Sequence, residues 1–223
     1  MSQDPCRELR RLQESPAFRT YEELRRMCLC YSMMDSKLAE LRSAVRNARA
    51  NAPTHWSRYE TIEAETMEMC QLLADFLSRM YACKNLASVC AKRHGVDPAF
   101  RSLKHAMLGF EVSVMVNLRN YVVHVDMLPL EIDVSTGAVV FTRRCRGDGI
   151  WSLPQKRYLR GADLETLLTT YSGVISAFYA EYFSVLLSAV HPKLGECRQE
   201  IGELNRRLGY EMVRFDPLAR TRA

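Results

Sequence analysis

Three polar side chains stand close together near the end of an apolar stretch of the sequence. They belong to Arg119, Asn120 and His124, with the spacing Arg-Asn-x3-His. On a helix, Asn120 and His124 share a face because they are four residues apart, and Arg119, about 100° away, can bend its long side chain toward them. A guanidinium binds phosphate through a planar set of donors, and an imidazole exchanges a proton near neutral pH. The combination therefore predicts chemistry on phosphodiesters.

A helix must carry these three residues. Residues 100–128 contain no proline and a single glycine, Gly109, and apolar residues recur at helical spacing through the segment. The helix is expected to begin at about Asp97 or Pro98 and to end before Pro129, because proline cannot continue a helix. We therefore expect one long helix with the polar residues near its C-terminal end.

This motif resembles the signature of the HEPN superfamily, in which Arg, a polar residue that is often Asn, Asp or His, three further residues and His form the active site. The resemblance covers the motif helix specifically and the helical body broadly. It implies a metal-independent endoribonuclease that needs no cofactor, in which two protomers of a homodimer each contribute one motif to a shared cleft. It also implies that Arg119, Asn120 and His124 are the catalytic residues.

The chemistry implied by the resemblance is attack of an RNA 2′-hydroxyl on the adjacent phosphate, leaving a 2′,3′-cyclic phosphate and a 5′-hydroxyl. His124 would act as general base or acid, Arg119 would stabilise the added negative charge, and Asn120 would orient the imidazole or hold a phosphate oxygen. The setting implied is RNA restriction in a defence or toxin system, with an antitoxin or other regulatory protein as a further partner. Asp126 stands where toxins paired with a nucleotidyltransferase antitoxin often carry a modifiable tyrosine, so that form of regulation is not expected.

A second interpretation remains open from the residues alone. Arg119 would pair with an acid of a neighbouring helix, such as Glu65 or Glu68, and His124 would be a satisfied, partly buried histidine. The chain would then be a non-catalytic helical interaction or dimerisation module, because one fold can serve many functions. A helical DNA-binding regulator is not indicated, since no compact helix-turn-helix with a basic recognition helix is present.

Length and composition predict a single domain over residues 1–223. With 48% hydrophobic residues, a chain of 223 residues can bury one sizeable core. The 31 basic and 26 acidic residues give a net charge of +5, a mixed surface that permits an anionic partner such as single-stranded RNA. Neither a signal sequence nor an apolar run of roughly 20 residues is evident, which predicts a soluble, cytoplasmic protein without membrane attachment.

The eight cysteines lack the spacing of a secreted disulfide framework, and we expect reduced thiols. Cys28 and Cys30 would diverge by about 200° on a helix and cannot chelate one ion. No Cys-x2-Cys pair is present, so no metal site is predicted.

The residue pattern predicts a mainly α-helical fold of long helices with one inserted β-hairpin, and the resemblance implies that the helices form a HEPN-like antiparallel bundle. Besides the motif helix, we expect a turn at 51–54, a C-terminal cap at Gly95 and helices at about 4–14, 20–50, 57–94, 162–190 and 192–208. The hairpin is expected at about 130–143, where apolar and polar residues alternate around Ser135, Thr136 and Gly137.

The segment from about 143 to 160 is expected to be a basic loop beside the cleft. Its cations can neutralise RNA phosphates regardless of sequence, and the predicted RNA-binding residues are Arg143, Arg144, Arg146, Lys156 and Arg157. Trp151 and Tyr158 would stack on bases, or Trp151 would instead anchor the loop in the core.

Overall fold

The computed structural model describes residues 4–55, 59–107, 109–124, 128, 130–141 and 151–216, with the main chain alone at 51–55, 59, 60, 110, 123, 124 and 153. As predicted, this part of the chain is mainly helical. The helices are α1 (Pro5–Glu14), α2 (Pro16–His55), α3 (Tyr59–Arg93), α4 (Asp97–Met107), α5 (Phe110–His124), α6 (Leu153–Leu159) and α7 (Leu164–Leu208). Strands β1 (Leu130–Ile132) and β2 (Val139–Phe141) pair antiparallel, which confirms the hairpin.

The prediction of one motif helix was wrong, because two helices occupy that segment. α4 ends at Met107 and α5 begins at Phe110. Gly109 lies outside both helices, and its carbonyl accepts from the Ser113 amide at 3.2 Å, which starts the hydrogen-bond ladder of α5. Glycine loses more conformational entropy in a helix than any other residue, so it favours a break here.

Two other predicted breaks are absent. α2 continues through the expected turn at 51–54 to His55, and α7 runs without interruption through Pro192. Pro53 falls in the last turn of α2, where its missing N–H removes a hydrogen bond close to the helix end. Pro192 cannot donate to the carbonyl of Ser188, but Ser188 is exposed and its carbonyl can bond water instead.

The cap at Gly95 is confirmed. Gly95 has φ +72°. The Val96 amide donates to the Ala91 carbonyl at 2.9 Å, which gives a hydrogen-bond partner to a carbonyl in the last turn of α3. α1 also lies where it was expected, with the Asp4 carboxylate accepting from the Cys6 amide at its N-terminus.

The chain forms two compact units, and segments of α2, α3, α4 and α7 contribute to each. The first unit comprises the described residues up to Ser32, Cys83–Ser102 and the described residues from Ala180 onward. In its core, the Tyr182 hydroxyl donates to the Ala87 carbonyl at 2.9 Å, and the Tyr182 ring packs edge-on against Phe100.

The second unit comprises Met33–Ala82 and Leu103–Tyr179, within which the structure describes the ranges given above. Phe76 is fully buried in its core and meets the Tyr171 ring edge-on, with centroids 5.9 Å apart. The hairpin packs onto the start of α7, because the Phe141 amide donates to the Ala162 carbonyl and Val140 pairs with Asp163. The whole Arg-Asn-x3-His motif belongs to this unit.

One helix of the described residues, α7, is long and apolar enough to cross a membrane by length and composition. The sequence prediction was narrower, that no uninterrupted apolar run of roughly 20 residues is present. A third of the qualifying stretch is buried within the structure, and along α7 the buried residues recur at steps of three and four. The core helix of a water-soluble protein meets the same criteria.

Candidate functional site

The motif occupies the last six residues of α5, from Arg119 to His124. Position along the helix places Ser113, Asn117, Asn120 and His124 within an arc of about 60° on one face, since each residue advances by about 100°. α5 therefore carries a polar stripe over three turns, with apolar core residues such as Val114 and Leu118 on the side away from it.

Arg119 is held in place by two neighbours. Its Nη1 donates to Asn120 Oδ1 at 3.2 Å, and its Cζ lies 4.0 Å from the centroid of the Tyr81 ring on α3. A guanidinium stacked on an aromatic ring gains about 0.5–1 kcal/mol at a partly exposed position. The two contacts orient the planar donors of Arg119 beside Asn120.

No carboxylate among the described side chains forms a salt bridge with Arg119. Its positive charge is balanced in this part of the structure only by the Asn120 oxygen and the Tyr81 ring face. A half-buried guanidinium with unused donors can bind an anion. The ion pair with Glu65 or Glu68 that the non-catalytic interpretation called for is not formed.

His124 is the last residue of α5, and its side chain lies outside the described residues. Its main chain places it one turn beyond Asn120 on the same face. Arg119 and Asn120 are thus in contact with each other, and helix geometry alone brings His124 to their side.

A hydrogen-bond network fastens α6 to the polar stripe of α5. The buried side chain of Gln155 donates through Nε2 to Ser113 Oγ at 2.9 Å and accepts through Oε1 from Asn117 Nδ2 at 3.0 Å. Its Oε1 also accepts from the Ser152 amide at 2.9 Å, and the Gln155 amide donates to Ser152 Oγ. Gln155 therefore closes the capping box of α6 and bonds to α5 at the same time.

The expected loop over 143–160 needs correction, because Leu153–Leu159 is helical. Ser152 and Gln155 supply the Ser-x2-Gln signature of a capping box, and Pro154 lies in the first turn, where proline is tolerated. The sequence contains this signature, among basic residues that favoured the prediction of a loop.

Trp151 is the anchor of this segment. Its side chain is 5% exposed, and its ring packs at a tilt on Tyr121 of α5, with centroids 5.9 Å apart. It is not accessible to stack on a base. Tyr158 is half-buried, and burial together with the nearby Glu111 carboxylate raises its pKa.

The predicted RNA-binding residues divide into two groups. Arg157 is exposed and Lys156 half-exposed on α6, which the Gln155 network holds against the motif helix. Arg143, Arg144 and Arg146 lie outside the described residues.

Replacement of Gln155 by leucine is expected to lower the free energy of unfolding by about 1–3 kcal/mol, because the half-buried side chains of Ser113 and Asn117 would each lose a hydrogen bond. Urea unfolding followed by circular dichroism would measure the loss. Gln71→Leu is the matched control, because Gln71 is an exposed glutamine on α3 of the same unit. Equal stability of the two variants would contradict the role of the network.

The described cysteines and acids do not form a metal centre. No group of three His, Cys, Asp or Glu side chains in the described ranges is arranged to hold a metal ion. Burial raises the pKa of the Cys28 thiol to about 11, and burial with the nearby Glu23 carboxylate does the same for Cys90, so both are protonated at neutral pH and bind metals poorly. None of the seven cysteines outside position 145 forms a disulfide.

Comparison of the chain with protein-family models, with curated proteins and with solved structures gave no match. The site must therefore be interpreted from its own residues and geometry.

Proposed function

We propose that this protein is a metal-independent endoribonuclease in which Arg119, Asn120 and His124 act on a phosphodiester of RNA. The observation that carries the proposal is the oriented guanidinium of Arg119. This guanidinium is held by Asn120 and Tyr81 and lacks a salt bridge to any described carboxylate. Arg119 lies near the C-terminal end of α5, where His124 follows on the same face as Asn120. The motif's resemblance to HEPN ribonucleases supports the same assignment.

In the proposed reaction, the 2′-oxygen of a ribose forms a bond to the adjacent phosphorus, and the bond from phosphorus to the 5′-oxygen of the next nucleotide breaks. One histidine accepts the proton of the 2′-hydroxyl, and a second group donates a proton to the departing 5′-oxygen. Arg119 stabilises the additional negative charge on the phosphorane. The nucleophile belongs to the RNA, so the reaction requires no metal-bound water.

The reaction uses one proton acceptor and one proton donor, whereas each chain carries one motif histidine. We propose that a homodimer supplies both, with the His124 of one protomer as base and that of its partner as acid. Single-stranded RNA is the proposed substrate because its backbone can bend for in-line attack. A cytoplasmic defence or toxin system, held in check by a regulatory protein, is the setting we propose.

The test is incubation of the purified protein with a mixed single-stranded RNA in excess chelator, beside an Arg119→Ala, His124→Ala double variant. We expect the parent protein alone to cleave, with 2′,3′-cyclic phosphate and 5′-hydroxyl ends identified by mass spectrometry. Cleavage by both proteins would indicate a contaminating nuclease. Intact RNA in both samples, with a weakened dimer in the double variant, would favour a non-catalytic dimerisation module.

A further inference from the structure

We infer that Arg42 and Arg46 on α2, together with Arg160 at the end of α6, form a second surface that binds the sugar-phosphate backbone of single-stranded RNA. The identity of the ligand rests on the proposed function, whereas the surface itself rests on the charges and contacts of the second unit.

Two segments distant in sequence share an unusual charge pattern. Residues 41–55 contain three arginines and no acid, and residues 149–162 contain Lys156, Arg157 and Arg160 and no acid. Each segment is therefore purely cationic in a chain whose overall charge is mixed. A stretch of cations without acids in the sequence is the electrostatic pattern expected of a phosphate-binding surface.

The fold brings these two segments together. Arg49 of α2 binds across to the start of α7, with Nη1 2.5 Å from Glu165 Oε2 and Nη2 3.2 Å from Asp163 Oδ1. Arg160 precedes Asp163 by three residues, so their Cα atoms are at most about 11 Å apart. Arg46 lies one turn from Arg49 along α2, a rise of about 5 Å. The cations of α2 and Arg160 thus lie near one pair of acids, and Arg49 balances one of their two negative charges.

Arg42 and Arg46 have no acid partner among the described residues. Arg46 is exposed, and its Nε donates to the Arg42 carbonyl of its own helix at 3.2 Å. Arg42 reaches Ser172 Oγ at 3.4 Å, while its Nε is buried without a described acceptor. Among the described residues, the hydrogen-bond partners of both guanidinium groups are a neutral hydroxyl and a neutral carbonyl.

The helix dipole does not account for these two arginines. Cations are favoured within the last turn of a helix, but Arg42 and Arg46 precede the last residue of α2, His55, by 13 and 9 positions. Arg49 pairs with two acids at the start of α7, whereas Arg42 links to α7 only through the neutral Ser172 hydroxyl and Arg46 donates to a carbonyl of its own helix. Binding of an external anion explains their placement.

The surface is also connected to the motif helix. Gln155, at the start of α6, bonds to Asn117 of α5, and the same short helix leads through Arg157 to Arg160. An RNA strand that occupies the motif can therefore continue along α6 toward Arg46. Since arginine contacts to phosphate are independent of base identity, this path would raise affinity without adding sequence preference.

The experiment measures binding of a fluorescein-labelled single strand with 2′-O-methyl riboses, which cannot be cleaved because the nucleophile is blocked. Fluorescence anisotropy is recorded between 50 and 200 mM salt for the parent, Arg46→Gln, Arg160→Gln and the double variant. Loss of each phosphate contact should make the slope of log K against log salt shallower by about 0.7. We expect about twice that change in the double variant.

The control is Arg7→Gln, Arg10→Gln, which removes the same charge from exposed positions of α1. The inference would be overturned if the slope changed equally in the control, or if it stayed unchanged in the Arg46 and Arg160 variants. Absence of binding by the parent at 50 mM salt would also overturn it. The proposed function is tested separately by cleavage of unmodified RNA. Binding with the expected slopes but no cleavage would leave the surface established and the nuclease refuted.

Discussion

Replacement of His124 by alanine is expected to lower the rate of RNA cleavage by about 10²- to 10⁴-fold, the usual contribution of general acid–base catalysis. The imidazole is the one group of the motif that can accept or donate a proton at neutral pH. A single-turnover assay with excess enzyme would measure the chemical step without interference from product release. Arg119→Ala should lower the cleavage rate by a comparable factor, because catalytic residues that act together lose most of their joint effect when one of them is removed.

His105→Ala provides the matched control for this prediction. His105 is an exposed histidine on α4 in the same unit, and its loss should leave the cleavage rate unchanged. Thermal unfolding and sedimentation should show that His124→Ala keeps the fold and oligomeric state of the parent. A His124→Ala protein that cleaves at the parental rate would refute the catalytic assignment, and one that loses its dimer would favour the non-catalytic interpretation.

Replacement of Phe76 by alanine is expected to lower the free energy of unfolding by about 3–5 kcal/mol, the range for removal of a fully buried aromatic ring. Phe76 has no exposed surface, and its edge-on contact with Tyr171 joins α3 to α7 within the second unit. Since domains are stable by about 5–15 kcal/mol, the variant should be partly unfolded on mild heating. Urea titration followed by circular dichroism would measure the loss.

Val89→Ala is the comparison for Phe76→Ala, because Val89 lies on the same helix and is half-exposed. Its effect should stay within about 0.5 kcal/mol, as for most surface substitutions. A loss below 1 kcal/mol for Phe76→Ala would show that the contact between α3 and α7 is not part of the stabilising core.

The helical character and the hairpin could be predicted because both depend on local patterns. Apolar residues at steps of three and four follow the helical repeat, Gly95 supplies the left-handed cap conformation of α3, and alternation around Gly137 favours a hairpin. The errors in helix length concern proline and glycine. Pro53 and Pro192 are tolerated because the lost hydrogen bond is terminal or exposed to water, whereas the helices α4 and α5 are separated at Gly109.

The partners of the motif could not be predicted from local pattern. Tyr81 precedes Arg119 by 38 positions and Gln155 follows Asn117 by 38, so both contacts depend on tertiary packing. No spacing rule within one helix indicates which ring will lie under a guanidinium. The link from Arg49 to Asp163 and Glu165 is of the same kind, and it joins two basic segments that appear unrelated in the sequence.

The amide of Gln155 also sets where α6 can lie along α5. The amide nitrogen needs an acceptor and the amide oxygen needs a donor. Ser113 and Asn117, which lie one turn apart on α5, supply the acceptor and the donor respectively. If α6 moved one turn along α5 toward the motif, the Gln155 oxygen would face Tyr121, whose ring packs on Trp151. If α6 moved one turn the other way, the Gln155 nitrogen would face Gly109, which has no side chain. Displacement in either direction by about 5.4 Å therefore loses a bond. The order of donors and acceptors therefore fixes the position of α6 along α5. As a result, the cations of α6 are held at a constant distance from the C-terminal end of α5.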